Sequence, residues 1–353
     1  MKVCLTSIEA YGLAFVSPLH TANATLRERC GYFCSVSTLD DSFSSVGEVA
    51  PLPGWSTETL SEVKIVLESL IGSVFDIEPD AFLREGLGDT ERRLCGYHAA
   101  ICHGVESAIL EILAQREGLP VAALLNYRYD SVLPYCQMVQ SFQAGVDFVV
   151  QGGRAVKLKV SHGTVAEDIE RVSQMRQEVG QLAEIRVDAN CGWELAEARQ
   201  FIEGVVGQKV SLLEEPLQNR EKDGLRSLSS SIKLAADESV RTHAELEDIG
   251  SEGIYGVVVL KPMLCGGPIQ VLKMARRSRE LGLEFVITTS FETGLGRSVA
   301  IHTSAACGLE GQLPGGLNTS SVFASDPWYF PKGQSGFITI PNQVGLGVRR
   351  EIP

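Results

Sequence analysis

Charged residues close a series of short apolar runs at a nearly constant period, and that period admits few architectures. The run Ala155-Val156-Lys157-Leu158-Lys159-Val160 alternates as a strand does, with Val156, Leu158 and Val160 on one face and Lys157 and Lys159 on the other. Three later runs end in a carboxylate: Ile185-Arg186-Val187-Asp188, Ser211-Leu212-Leu213-Glu214 and Leu234-Ala235-Ala236-Asp237. A fourth, Val257-Val258-Val259-Leu260-Lys261, ends in a lysine. From Lys159 the steps to Asp188, Glu214, Asp237 and Lys261 are 29, 26, 23 and 24 residues, each about what one strand, one helix and two short loops require. Successive βα units with polar residues at the strand ends describe a (β/α) barrel whose site lies at the carboxyl-terminal face.

Taken singly, each residue has a plainer explanation. Two lysines on one strand face read as a solvated edge, and an Asp or Asn at a strand end reads as the cap of the next helix. Three acids at regular spacing, bracketed by lysines, are poorly explained that way. Like charges gathered at strand ends mark a site.

Composition narrows the partners. The formal net charge of -13 and the lack of a basic tract argue against nucleic acid. An anionic substrate would have to be drawn in locally, because the overall field repels it. The nine cysteines form no disulfide-like framework and no C-x-x-C pair, so reduced thiols in a cytoplasmic protein are expected. No run approaches the roughly 18 apolar residues a membrane span needs, and membrane insertion is not expected.

Before the barrel pattern, β-type runs occupy 2–16 and 31–38, with the polar stretch 17–29 between them expected to be irregular. A Pro/Gly-punctuated loop follows at 47–56. Helices are expected at 56–71, with Ser56 as its cap, and at 97–118. These segments predict an α+β unit over 1–127, to which a tail at about 328–353, through Phe337-Ile338-Thr339-Ile340, returns as a strand. The barrel is expected over 128–327. Its first strand is Val132-Leu133-Pro134-Tyr135-Cys136-Gln137, its helices lie at 164–180, 194–207, 241–250, 267–282 and 294–307, and Gln312 to Leu317 supplies an eighth strand. Should the 17–29 and 47–56 segments close over the site, Arg27 is a candidate contact for a substrate carboxylate.

Three carboxylates converging from adjacent strands repel unless a cation holds them, and oxygen-only ligation with room for substrate suits Mg²⁺. A metal that binds a carboxylate substrate, beside a lysine that takes its α-proton, makes a proton-abstraction site. Nearby cations lower the lysine's pKa toward the working pH. None of the six histidines stands at a barrel-strand end.

These motifs, with Asp188-Ala189-Asn190, Glu214-Glu215-Pro216, Asp237-Glu238-Ser239, Lys261-Pro262-Met263-Leu264-Cys265-Gly266-Gly267 and Gly315-Gly316-Leu317-Asn318-Thr319, resemble the enolase superfamily. The likeness is to its muconate-lactonizing-enzyme-like branch and, within it, the o-succinylbenzoate synthase family. The fold this implies is α/β, a modified TIM barrel (β/α)7β under an N-terminal α+β capping domain. Carried over residue by residue, the resemblance implies Asp188, Glu214 and Asp237 as ligands of Mg²⁺, with Mn²⁺ as a substitute. It implies Lys159 as the base that then acts as acid, and Lys261 as an opposed cation meeting the enediolate and substrate ring. Lys157, Asn190, Thr288, Ser290 and Gly316 are the implied substrate contacts. The reaction would be loss of water from 2-succinyl-6-hydroxy-2,4-cyclohexadiene-1-carboxylate, a small anionic dicarboxylate, to o-succinylbenzoate in menaquinone synthesis. N-Succinylamino acid racemisation, or another muconate-cycloisomerase-like reaction, would use the same two lysines. A non-catalytic binding barrel would need no opposed lysines. Strand eight carries no Asp-x-Asp signature of the dipeptide epimerases, and no His–Asp dyad follows Lys261. Assembly into an oligomer is compatible with all of these readings.

Overall fold

The computed structural model describes residues 1–20, 25–139 and 141–351. Strands β1 (Lys2–His20), β2 (Thr25–Thr38), β3 (Ser44–Val49) and β4 (Val74–Asp76) form an antiparallel sheet of order β3-β2-β1-β4. The stretch expected to be irregular is, where described, strand: Ala14 pairs with Glu28 and Leu19 with Leu26, across a register shift between Ala14 and Leu19. Residues 21–24 lie outside the described residues. The ladder persists because Leu19 and Leu26 bury their side chains with Phe15, Leu52, Trp55 and Leu264, an apolar contact that the polar surroundings conceal in the sequence.

Helices α1 (Leu60–Leu70), α2 (Pro79–Glu85), α3 (Asp89–Leu94), α4 (Ala99–Glu117) and α5 (Val121–Leu125) follow. The cap of α1 is Thr59, not Ser56. Thr59 Oγ1 accepts from Glu62 N while the Glu62 carboxylate accepts from Thr59 N, a full capping box. Ser56 Oγ instead accepts from Leu52 N at 2.9 Å and closes the preceding loop. Strand β3 lies so close on α4 that a Cβ on Gly47 would stand 1.9 Å from the Gly104 carbonyl oxygen, which only glycine permits.

The barrel is then built by β5 (Val132–Pro134), β6 (Gln137–Met138), α6 (Phe142–Val150), β7 (Ala155–Lys159), α7 (Val165–Val179), β8 (Glu184–Asp188), α8 (Leu195–Val205), β9 (Val210–Glu214), α9 (Lys222–Ser229), β10 (Leu234–Ala236), α10 (His243–Glu252), β11 (Val257–Leu260), α11 (Pro262–Cys265), α12 (Pro268–Glu280), β12 (Glu284–Ile287), α13 (Gly294–Cys307) and β13 (Gln312–Leu313). Strands β6 to β13 stand in chain order in one parallel sheet of eight. Its two ends meet where Cys136 N donates to Gly315 O at 2.9 Å and Tyr135 bridges Gly315. Interior apolar side chains from β11 and β12 fill the middle, and the helices cover the outside.

Three short strands end the chain: β14 (Trp328–Tyr329), β15 (Phe337–Thr339) and β16 (Arg349–Arg350). The expected first barrel strand is split, since β5 pairs antiparallel with β15 and only β6 joins the barrel. The segment Phe337-Ile338-Thr339 therefore returns to the start of the barrel and not to the N-terminal sheet. Ile338 is fully buried in the barrel core, and that burial favours the pairing with β5. Trp328 and Leu346 of the tail pack with the N-terminal unit's core. No helix among the described residues is long and apolar enough to cross a membrane.

His302 of α13 joins these parts. Ala122 N donates to its Nδ1 at 3.0 Å, and its Nε2 faces Leu346 O at 3.1 Å. Burial holds its pKa down at about 4. The unfolded chain thus binds a proton at this residue from about pH 6.5 downward while the fold does not, so stability falls as pH drops through that window. Replacing His302 with Gln is expected to shrink the loss of unfolding free energy between pH 7 and pH 5 by about 2 kcal/mol. Urea unfolding at the two pH values measures it, and an unchanged difference would show that His302 does not hold its proton off.

Candidate active site

The strand ends converge as their spacing implies. One cavity at the barrel mouth is lined by Lys157 and Lys159 of β7, Asp188 and Asn190 at the end of β8, Glu214 of β9, Asp237 after β10 and Lys261 after β11. Thr288, Ser290 and Gly316, from the ends of β12 and β13, line it too, with Leu52 and Trp55 closing it from the loop after β3. Arg27 is not brought there: it lies exposed on β2, outside the cavity lining. The residue of that strand that reaches inward is Arg29, only 1% exposed. Its guanidinium donates to the carbonyls of Ala50, of Pro51 at 2.6 Å and of Phe291 at 3.2 Å. The register shift opposite this part of β2 interrupts the strand alternation, and burial falls on Leu26 and Arg29 while Arg27 and Glu28 stay exposed.

The acids are held as a set. Asp188 and Glu214 are register partners on adjacent strands, and Lys157 Nζ sits between them, 3.1 Å from Asp188 and 3.0 Å from Glu214. Burial opposes ionisation of Asp188, yet the ammonium groups of Lys157 and Lys159 overcome it and hold its carboxyl down at about 2. Burial and the adjacent Asp188 charge push Glu214 up, well above the usual carboxylate range. Lys261 Nζ donates to both oxygens of Asp237, at 2.7 and 2.6 Å. Three nearly buried carboxylates from consecutive strands, offering oxygen donors only, suit a hard divalent cation of the Mg²⁺ type.

The Glu214-Glu215 pair is divided by the backbone. Glu215 adopts a φ of 38°, in the left-handed region, and its carboxylate turns away from the cavity. It accepts from Asp237 N at 2.9 Å, Ser239 N at 2.8 Å and Ser239 Oγ at 3.1 Å. With Cys191 and Glu238 it forms a cluster whose ligand atoms lie within 4.8 Å of one another, but its oxygens are already engaged in bracing the end of β10. Asn190 and Phe291 also carry positive φ, at 44° and 61°, so strain collects at the strand ends that bear the site.

Lys159 and Lys261 sit in different surroundings. Lys159 Nζ donates to Asn190 Oδ1 at 2.9 Å, and Asn190 Nδ2 donates in turn to Glu238 at 3.2 Å. Burial lowers the Lys159 pKa, and the cations Lys157 and Lys261 add to the effect against the pull of Asp188 and Glu214. Lys261 lies under the indole of Trp55, with Nζ 3.8 Å from the ring centroid. The aromatic partner of this lysine in the structure is therefore a protein side chain. Of the hydroxyls that follow β12, Thr288 and Thr289 donate to Gly316 O at 3.1 and 3.2 Å, while Ser290 Oγ, buried at the cavity wall, has no partner among the described residues. Leu52 and Trp55 are lining residues that the strand-end spacing does not announce. The apolar Leu52 and Trp55 within an otherwise Pro/Gly-rich loop were the available signal.

A closed eight-stranded parallel barrel with an acid triad and opposed lysines at its carboxyl-terminal mouth, capped by an N-terminal α+β unit, defines a class of barrel enzymes. A family model described as Enolase C-terminal domain-like matches residues 142–351, and the chain belongs to that family, in the muconate-lactonizing-enzyme-like branch of the enolase superfamily. Among curated relatives, the o-succinylbenzoate synthase of Vibrio cholerae is 26% identical over 332 residues, covering 90% of this chain and 91% of that protein. The hydrophobic dipeptide epimerase of Enterococcus faecalis is 25% identical over 320 residues, covering 87% and 88%. The solved structure of the Enterococcus faecalis dipeptide epimerase, complexed with Mg and the dipeptide L-Leu-L-Tyr, superposes with a TM-score of 0.85 at 22% identity over 99% of both chains.

The division of the two glutamates is measurable. Glu215→Ala is expected to cost about 2–4 kcal/mol, because it leaves two backbone N–H groups without their acceptor. Glu214→Gln removes a carboxylate that burial and Asp188 already disfavour and is expected to cost far less. Urea unfolding of both variants decides it; equal losses would mean that the two side chains share the bracing role.

Proposed function

We propose that the chain is an o-succinylbenzoate synthase, a carbon–oxygen lyase that dehydrates 2-succinyl-6-hydroxy-2,4-cyclohexadiene-1-carboxylate in the cytoplasm as a step of menaquinone biosynthesis. The observation that carries this reading is the asymmetry of the two lysines. Lys159 has a lowered pKa and an amide partner, whereas Lys261 is fixed between Asp237 and Trp55. One proton carrier and one stationary cation suit a reaction that takes and returns its proton on a single face.

In this reading Asp188, Glu214 and Asp237 hold Mg²⁺, with Mn²⁺ as a substitute, which when bound supplies a Lewis acid for the substrate carboxylate. Neutral Lys159 takes the proton α to that carboxylate, and the C–H electron pair passes into the enediolate. The C–O bond then breaks as Lys159 returns the proton to the departing hydroxyl, so water leaves and the ring becomes aromatic. Asn190 aims the Lys159 amine. Lys157 stays charged between Asp188 and Glu214, its pKa raised by those acids against its burial, and meets substrate carboxylate charge. Lys261, four strands away in an eight-stranded barrel, faces Lys159 and offers positive charge to the enediolate. The Ser290 hydroxyl, without a partner among the described residues and close in the lining to Thr288 and Gly316, suits the succinyl carboxylate. The lining residues from the described chain include no carboxylate beyond the triad that could pair with a substrate ammonium.

A second reading, N-succinylamino acid racemisation or another 1,1-proton transfer, draws on the same opposed lysines and on the likeness to the epimerase. It requires Lys261 to carry protons as Lys159 does.

Stripping divalent ions is expected to abolish turnover, and Mg²⁺ or Mn²⁺ to restore it; full activity in excess chelator would remove the triad from the mechanism. The lysines separate the two readings. Lys159→Arg keeps charge but cannot deprotonate near neutrality, so it is expected to be as inactive as Lys159→Ala. Lys261→Arg keeps a cation and is expected to retain part of the dehydration while losing any racemisation, with Lys261→Ala losing on the order of a hundredfold in kcat. Dehydration that survives Lys159→Arg and vanishes in Lys261→Arg would move the base to the other strand.

A further inference from the structure

Lys261 depends on a residue that belongs to the other structural unit. A lysine ammonium on four rotatable bonds is not fixed by one carboxylate. Asp237 holds it from the barrel side, and the Trp55 ring, 3.8 Å from Nζ to centroid, covers it from the loop after β3. That ring is itself anchored. Arg241 Nε donates to the Trp55 carbonyl at 3.3 Å, and its guanidinium carbon lies 5.5 Å from the ring centroid. Upstream, Arg29 grips the carbonyls of Ala50 and Pro51, and Ser56 Oγ closes the loop on Leu52 N at 2.9 Å. Trp55 is only 7% exposed, and it packs with Leu19 and Leu26 of the hairpin and Leu264 beyond Lys261. A buried, anchored indole over a charged amine is well placed to set where that charge sits.

We infer that Trp55 is a positioning residue that fixes the Lys261 ammonium over the barrel mouth, so that the opposed cation is in place only when the loop of the N-terminal unit is seated. Its effect is on the second lysine and not on the base, since Lys159 lies on β7 and is held by Asn190. Trp55 thus acts through charge placement in the transition state. The inference rests on the dehydration reading for its kinetic consequence and on geometry alone for the contact.

Two measurements test it. With the cyclohexadiene carboxylate substrate, Trp55→Leu is expected to lower kcat on the order of tenfold with KM changed less than about twofold, and Trp55→Phe, which keeps an aromatic face, to recover most of that loss. In parallel, a cycle of Trp55→Leu, Lys261→Met and the double variant is read from urea unfolding midpoints. The shift caused by Trp55→Leu is expected to be clearly smaller in the Lys261→Met background. Additive midpoints would overturn the contact. Coupled midpoints with unchanged kcat, or a Trp55→Leu defect confined to KM, would overturn the positioning role and leave Trp55 as packing. Wild-type protein inert toward this substrate would overturn the dehydration reading together with the kinetic half of the inference, the midpoint cycle then deciding the contact by itself.

Discussion

Three carboxylates and three ammonium groups share one nearly buried cavity, and the rest of the molecule is arranged around making that tolerable. Isolated, each buried carboxylate would face a desolvation penalty of several kcal/mol. Adjacent strands place Asp188 beside Glu214 as register partners, so their repulsion adds to that penalty. Lys157 answers both at about 3 Å, and Lys261 answers Asp237. Remove either lysine and its carboxylate partners are left facing one another in a place that water reaches poorly. The β-barrel makes such crowding possible, because its parallel strands end together on one face with only short loops between.

Holding these charges takes further support around the cavity. Glu215 turns outward on a positive-φ backbone and accepts the amides of Asp237 and Ser239, so that the end of β10 cannot drift from the end of β9. Arg186, buried within the barrel, pairs with Glu184 at 2.8 Å and donates to Pro314 O at 2.7 Å, tying β8 across the interior to the closing strand. Just after β13, a Cβ at Gly315 would stand 1.7 Å from Ile287 O, so the close approach that completes the barrel needs glycine. The site is thus fixed by hydrogen bonds one layer behind the side chains that would meet a substrate.

Much of this was legible in the sequence, for a physical reason. A βα unit has a nearly fixed length, so residues that share a strand-end position recur with that period, and their chemistry can be read together. The triad and both lysines follow from that, whereas Thr288 and Ser290 follow only from the family resemblance. What stayed hidden depends on pairs far apart in the chain. Trp55 meets Lys261 across domains, and no local pattern announces it. Arg29 and Arg27 look alike in sequence and differ only in what the neighbouring loops present to them. The hairpin beyond Ala14 persists because Leu19 and Leu26 find a covering cluster, and β15 joins β5 because Ile338 finds the barrel core; both outcomes depend on tertiary burial overriding weak local preference. The start of α1 lies three residues beyond the expected cap because Ser56 and Thr59 are both competent caps, and the Glu62 carboxylate decides between them.

The charge of the whole chain sharpens what the cavity must accomplish. At -13 the protein repels a dicarboxylate at long range, and screening limits that repulsion to about 8–10 Å at ordinary ionic strength. Within the cavity the balance differs. The acids Asp188, Glu214 and Asp237 face Lys157, Lys159, Lys261 and Arg186, and burial with the adjacent Asp188 charge disfavours ionisation of Glu214. Acids and cations are therefore close to balance in the lining even when Lys159 gives up the proton that a base must lack. In the proposed reading a dicarboxylate meets local cations at a mouth toward which the overall field repels it, and a divalent ion held by the triad would add to that attraction, so the same three acids that make the site costly to fold would also help it receive an anion.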